Sequence, residues 1–258
     1  NLSDMMELLA GRIGANTLDE YIGQRHLVVK GAVLRNRIEA RRSTAFISCG
    51  PPGVGMTTLA QIVANTLQLP FYTLSAVTSG VKDVREVIDK ARGGRFFNEG
   101  NPILFIDEIH RFSKSQQDSL LGAVEKGVVT LIGATTENPS FEVIRPLLSR
   151  CQLYVLKPLG DDDLMELMQR AITHDPELSQ RQIVLKETGA ILRYSGGDAR
   201  KLLNILELVV GADADEQVVI NDDTVKERLQ QNPLAYDKDG EMHYDIISAF
   251  IKLSIIHI

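Results

Sequence analysis

Between residues 45 and 157 the chain alternates short, almost unbroken apolar runs with stretches whose apolar positions recur at helical spacing. AFISC (45–49), FYTLSAV (71–77), NPILFIDEIH (101–110), VVTLIGATT (128–136) and QLYVLK (152–157) have the length and bounding residues of buried strands. TTLAQIVANTLQ (57–68), VKDVREVIDKAR (81–92) and SQQDSLLGAVEKG (115–127) lie between them and read as helices. In the second of these, Val81, Val84 and Ile88 share one side, and Gly127 ends the third. Upstream, Thr17 followed by Glu20 has the spacing of a capping box and predicts a short helix start. A further helix is predicted from about Ala32 to Arg42, with Leu34 and Ile38 on one face. Strands that are apolar throughout and alternate with helices imply an α/β fold, a parallel sheet flanked by helices on both faces.

The pattern changes after Pro158. Residues 161–173, 186–195 and 198–210 are helical by periodicity with no strong strand among them, which predicts a small all-α lid. The segment 211–243 is acidic and turn-rich, and YDIISAFIK (244–252) reads as a helix start. The expected organisation is a nucleotide-binding domain over 1–158, a helical lid over 159–232, and over 233–258 a linker and the start of a truncated third unit.

Composition narrows the setting. Only Cys49 and Cys151 are available for sulfur chemistry, neither at metal-ligand spacing, so a reducing, cytosolic environment is expected. No run approaches the roughly 20 apolar residues of a membrane span, and no membrane partner is expected. The formal net charge is −6, so contact with nucleic acid must use local patches or an assembled oligomer. With no Trp and 5% aromatics, a base-stacking platform is not evident.

The chemistry concentrates at strand ends. Gly50-Pro51-Pro52-Gly53-Val54-Gly55-Met56-Thr57 follows the phosphate-binding pattern G-x-x-x-x-G-K-[ST] in all but one position. Glycines let backbone N–H groups turn inward on phosphates, and the next helix aims its positive end at the same charge. ATP with Mg²⁺ is the expected ligand. Thr57 would supply a hydroxyl to the metal, with Thr58 beside it in the nucleotide contact. Met56 stands where a lysine charge is expected. Loss of its charge-assisted hydrogen bonds should cost about a few kcal/mol, on the order of 10²-fold or more in affinity or rate.

Asp107 and Glu108 end the third apolar run, at the edge where ligands of open α/β sheets bind. Asp107 is the expected Mg²⁺ residue, and Glu108 the group that orients or deprotonates the attacking water. In LIGATTENPSF (131–141), Thr136 is the first choice for a contact to the terminal phosphate or water, Asn138 the second and Thr135 the fallback. Arg150 occupies an exposed corner from which an arginine can reach a neighbouring subunit's nucleotide, and an ordinary surface ion pair is the alternative. Asp198 reads as a helix cap that places Arg200 in the first turn. A cation is disfavoured there, which points to a phosphate partner.

These residues together resemble the AAA+ ATPases of the clamp-loader-like branch, through the S-R-C corner (149–151) and the G-D-A-R helix start (197–200). The chain is more similar still to the MgsA/RarA family, the bacterial relatives of Werner helicase-interacting protein. TLDEYIGQ (17–24), LSAVTSGVKDVRE (74–86), LFIDEIHRFSKSQQD (104–118), LIGATTENPSFE (131–142), LLSR (147–150) and GDARKLLN (197–204) carry that resemblance. It implies a DNA-dependent ATPase of replication, recombination and repair at stalled forks, cytoplasmic and nucleoid-associated. It further implies a homotetramer that engages DNA ends and single-strand gaps and interacts with single-stranded DNA-binding protein. By the resemblance Asp107 and Glu108 are the Walker B pair, Arg150 the trans arginine finger and Arg200 the sensor 2 arginine. The departures are Met56, Ser48-Cys49 in place of a bulky apolar pair, and GRIGAN (11–16) without the Arg-Pro before TLDEY. The helical oligomerisation region beyond 258 is also expected to be missing. A non-hydrolysing assembly subunit that lends Arg150 to a neighbour is the competing expectation, and a generic clamp-loader subunit a third.

Overall fold

A computed structural model describes residues 14–42, 44–94, 100–211 and 217–232. The segment 233–258, with its expected helix at 244–252, and residues 11–13 of GRIGAN lie outside these. The described chain forms two compact units that meet in sequence at Pro158 and Leu159.

In the first unit five strands form one parallel sheet: β1 (Phe46–Cys49), β2 (Phe71–Ser75), β3 (Ile103–Asp107), β4 (Thr130–Thr135) and β5 (Gln152–Val155). Their spatial order is β2-β3-β4-β1-β5. The longer helices of this unit are α1 (Val33–Glu39), α2 (Met56–Leu67), α3 (Val81–Gly93), α4 (Lys114–Glu125) and α5 (Arg145–Ser149), and single-turn helices lie at Arg25–Val28 and Pro139–Glu142. The unbroken apolar strands have a direct reason. Successive side chains point to opposite faces, and both faces of the central strands β1, β3 and β4 are covered, whereas the edge strand β5 buries Tyr154 and leaves Leu153 and Val155 exposed. Phe46, Ile103, Phe105 and Ile132 join one buried cluster with Leu34, Ile38, Leu59, Ile62 and Val63 of α1 and α2. Ile47, Leu104, Ile106 and Leu131 join the other, with Val84, Ile88, Leu120 and Leu147 of α3, α4 and α5.

Two glutamines of α4 tie this scaffold together. Ser113 and Gln116 form a reciprocal cap at its start, and the Gln116 side chain also donates to the Ser79 carbonyl at 3.0 Å. Buried Gln117 donates to the Phe112 and Glu142 carbonyls at 3.0 and 2.8 Å and accepts the Ile144 N–H at 2.8 Å. The polar SKSQQD stretch thus holds the loops that follow β2 and β4.

The five predicted strands are present with shorter ends, and the helices expected at 57–68, 81–92 and 115–127 are present with ends within two residues of the prediction. The strand expected to run to His110 stops at Asp107, because Glu108 turns into the left-handed region and a 3₁₀ turn follows at Ile109–Arg111. The helix expected from Ala32 to Arg42 spans Val33–Glu39, and Arg41 beyond it is left-handed. Thr17 makes one expected capping contact, accepting the Glu20 N–H at 3.3 Å, and its hydroxyl donates to the Glu20 carboxylate at 3.0 Å. These contacts close a turn rather than a helix, because Gly23 and Gln24 both take positive φ and fold the segment back. Buried Arg35 fastens that turn by ion pairs to Asp19 and Glu39, each at 2.8 Å. Its hydrogen bond and charge hold the Asp19 carboxyl below the usual range.

The second unit contains α6 (Asp161–His174), α7 (Gly189–Ser195), α8 (Ala199–Val210) and α9 (Asp222–Gln231), packed through Met168, Ile191, Leu206, Val225 and Leu229. Two features depart from the sequence reading. Val218–Ile220 (β7) pairs in parallel with Ile183–Leu185 (β6), a ribbon too short to show periodicity. Within the acidic segment expected to be turns, α9 forms: Asn221 caps it, accepting the Thr224 N–H at 2.8 Å, and Asp222 and Asp223 complement its positive end. Asp222 also accepts the Ala190 N–H at 2.8 Å, which joins α9 to the start of α7. Among the described residues no helix is long and apolar enough to cross a membrane.

Gln117→Leu is expected to lower the free energy of unfolding by about 2–3 kcal/mol in urea titrations, because two carbonyls and one N–H lose their buried partner. A loss below about 0.5 kcal/mol would show that water replaces the side chain.

Candidate nucleotide site

Because all five strands of the larger sheet are parallel, the loops leaving their C-terminal ends gather along one edge. The glycine-rich loop leaves β1 there, Asp107 and Glu108 leave β3, and Thr135 ends β4 between them. Cys49 of β1 stands opposite Thr135, and the ladder continues one step into the loop, where the Gly50 N–H donates to the Thr135 carbonyl at 3.1 Å. Gly50 has no room for a side chain, since a Cβ there would lie 2.6 Å from the Leu156 carbonyl oxygen. Gly53 and Gly55 take φ of 75° and 91°, left-handed conformations that favour glycine.

The base of the loop is held by a residue that the sequence reading did not single out. Buried Tyr21 places its hydroxyl 3.1 Å from the Val54 carbonyl and 2.9 Å from that of Gly55. Its single proton is shared between them, and burial pushes the phenol's ionisation upward. Three residues on, Gln24 donates to the Lys157 carbonyl at 2.7 Å and accepts the Lys157 N–H at 2.9 Å. TLDEYIGQ therefore braces the loop and the end of β5.

Helix α2 starts at Met56 with Gly55 as its cap, and Gly55 has no side chain to bond the first N–H groups. Those amides suit an anion. Pro51, Gly53, Gly55, Met56, Thr57 and Thr58 are partly buried, Pro52 is exposed and Val54 is buried. Met56 packs against the apolar cluster of α1 and α2. The loop thus fits a phosphate chain in its backbone and lacks one positive charge in its side chains. Ser48 and Cys49 do not disturb the strand: the Ser48 hydroxyl donates to the Gly133 carbonyl and the Cys49 thiol to the Glu137 carbonyl, each at 3.2 Å.

Asp107 lies half-buried at the end of β3, beside Ser75 of β2. Glu108 has φ of 55°, which costs a residue with a side chain about 1 kcal/mol and is kept where surrounding contacts demand it. Its Oε2 lies 3.3 Å from His110 Nε2 and 3.4 Å from Arg111 Nε. His110 is buried and reaches Thr135 Oγ1 through Nδ1 at 2.8 Å. Of the three candidates at the end of β4, Thr135 reaches the acid pair through His110. Thr136 and Asn138 are exposed past the strand end.

Arg150 caps α5 and pairs with Glu125 at 3.2 Å, the surface ion pair that the sequence left open. Arg200 belongs to the second unit, in the first turn of α8, with an exposed side chain. The Asp198 carboxylate accepts the Arg200 and Lys201 N–H groups at 2.9 and 3.1 Å, and burial raises its pKa.

The parallel sheet, with a glycine-rich loop leaving β1 and an acid pair ending β3, defines a P-loop protein of the AAA class. Residues 46–159 match the family described as "ATPase family associated with various cellular activities (AAA)", and residues 179–255 match "AAA C-terminal domain". The chain belongs to the family of the replication-associated recombination protein A and its relatives. It is 44% identical to the protein of that name from Haemophilus influenzae, over 95% of this chain and 56% of that protein. Against the Escherichia coli protein the figures are 42%, 95% and 56%. ATPase WRNIP1 of Dictyostelium discoideum is 39% identical over 95% of this chain and 30% of its own length. The chain thus spans little more than half of the bacterial relatives. Among solved structures, the Thermotoga maritima RuvB Holliday junction branch migration motor superposes with a TM-score of 0.68 at 28% identity, covering 86% of this chain and 74% of that one.

Tyr21→Phe is expected to cost about 1–2 kcal/mol of stability by urea unfolding, since two loop carbonyls lose their donor. An unchanged midpoint and slope would show that the hydroxyl does not brace the loop.

Proposed function

We propose that this chain is the nucleotide-binding core and lid of an ATPase that works on DNA in replication, recombination and repair. The observation that carries the reading is the gathering of Gly50–Thr57, Asp107–Glu108 and Thr135 along one sheet edge, in a chain of this family. ATP would lie with its phosphates against the N–H groups of the loop and of the first turn of α2. Mg²⁺ would be held by the Thr57 hydroxyl and, through water, by Asp107. The bound metal supplies charge neutralisation to the transferring phosphoryl group. Glu108 orients a water and accepts its proton at a carboxylate oxygen. Thr136 and Asn138 would meet the terminal phosphate, and Arg200 is the sensor 2 candidate carried by the second unit. Arg150, half-exposed and paired only at the surface, is available to a neighbouring subunit's nucleotide. The substrates implied are DNA ends, single-strand gaps and forks. The implied partners are single-stranded DNA-binding protein and further copies of the chain, as a tetramer in the full-length protein, in the cytoplasm at the nucleoid.

Met56 weakens turnover in this chain. Its packing against the apolar cluster accounts for tolerance of the change, because the stem of a lysine would cover much the same surface. The same residue favours a second reading, a non-hydrolysing assembly subunit of a clamp-loader-like complex that contributes Arg150 to a neighbour.

Calorimetry with ATP and Mg²⁺, together with phosphate release, tests the two readings. Met56→Lys is expected to tighten ATP binding about 10²-fold and to bring hydrolysis up from background. Tight binding without hydrolysis would favour the assembly subunit. Failure of both forms to bind would sink the nucleotide site itself.

A further inference from the structure

Buried His110 has no part in the proposed reaction as described so far, yet it is the side chain that links β4 to the acid pair of β3. Its Nδ1 is 2.8 Å from Thr135 Oγ1, its Nε2 is 3.3 Å from Glu108 Oε2, and Glu137 Oε1 lies 4.0 Å from the same Nε2. Thr135 Oγ1 also accepts the Glu137 N–H at 3.1 Å and lies 3.2 Å from the Glu137 carbonyl.

Proton counting fixes what His110 presents to Glu108. If Thr135 donates its one proton to Nδ1, the neutral ring carries its own proton on Nε2. If Thr135 donates instead to the Glu137 carbonyl, Nδ1 must be the donor toward Thr135. A neutral ring would then turn a lone pair of Nε2 on the Glu108 carboxylate, a repulsive contact in a buried site. The first arrangement avoids it and puts the ring proton on Nε2, which lies 3.3 Å from Oε2 of Glu108. Arg111 meets the same oxygen at 3.4 Å, so both contacts fall on Oε2.

We propose that His110 is a positioning residue for Glu108: anchored on Thr135, it holds Oε2 and so turns Oε1 toward the attacking water. The inference rests on the reading of Glu108 as the water-orienting base. It accounts for a left-handed glutamate, for a histidine buried at the sheet edge, and for Thr135 rather than Thr136 being the residue in contact. It also connects Glu108 to the backbone of the 135–138 loop, because Thr135 accepts the Glu137 N–H.

The test pairs two replacements that divide the histidine's contacts. In the Met56→Lys chain, His110→Gln can place an amide N–H near the position of Nε2, whereas His110→Asn reaches only as far as Nδ1 and keeps the Thr135 side. Phosphate release should show the glutamine form within about threefold of the parent kcat and the asparagine form at least about tenfold lower. Affinity for ATP in Mg²⁺ should stay within about twofold for both, the signature of a group that acts after binding. An asparagine form at full speed overturns the inference, and so does an equal fall of both forms in step with their unfolding free energies. Glu108→Gln in the same background separates the two levels. If it abolishes turnover while His110→Asn leaves kcat unchanged, only the positioning role fails. If it turns over like its parent, or the parent itself has no turnover, the reading of Glu108 fails and the inference falls with it. Imidazole nitrogen NMR on the chain with Met56 in place needs no turnover. A proton on Nε2 of His110 is expected there, and an unprotonated Nε2 overturns the inference.

Discussion

The hydrogen-bond ladder between β1 and β4 is the contact on which the arrangement turns. It runs from Phe46 opposite Ile132 to Cys49 opposite Thr135, and the Gly50 N–H extends it one residue into the loop. That last bond makes the start of the glycine-rich loop part of the sheet, so the loop inherits the sheet's rigidity. The register is locked because one face of β1 and β4 meets α1 and α2 and the other joins the cluster of α3, α4 and α5. A slip of one residue would exchange Phe46 for Ile47 across the sheet. Each such buried side chain is worth about 1.5–3 kcal/mol, far more than any single polar contact at the edge.

On that rigid edge the polar residues divide into those that support and those that are left to act. Tyr21, Gln24, Gln116 and Gln117 spend their hydrogen bonds on backbone groups of loops that the sheet does not reach. The loop can therefore be open toward a ligand and still be held from behind. Met56 belongs with the supporting groups. It keeps the apolar contact of the position and omits the charge, which separates folding of the loop from its electrostatics.

The acid pair shows the same division at smaller scale. Asp107 is the last residue of its strand and takes its position from the ladder with β2. Glu108 has left the ladder and pays for its left-handed backbone with side-chain contacts, to His110 and Arg111. A carboxylate so held has few orientations open to it. This matters for any group that must meet a water in a set direction.

The existence and order of the elements were legible in the sequence because they depend on local periodicity, and the loop and acid pair because their spacing follows the two strands that carry them. Element ends were less legible. The left-handed turn at Glu108 has no local signature in a glutamate. The β6–β7 ribbon is too short to show a period. Helix α9 did carry one, in Asn221-Asp222-Asp223 followed by Val225 and Leu229, but the acidic surroundings masked it. The roles of Tyr21, Gln117, His110 and Thr135 were decided by tertiary structure alone. Each depends on hydrogen bonds to residues that the chain brings near only after the sheet has formed, 25 or more positions away for Tyr21 to Val54, Gln117 to Glu142 and His110 to Thr135. Apolar pattern specifies which segments must be buried together, and direction-dependent bonds between distant polar groups take their partners from the geometry that burial creates.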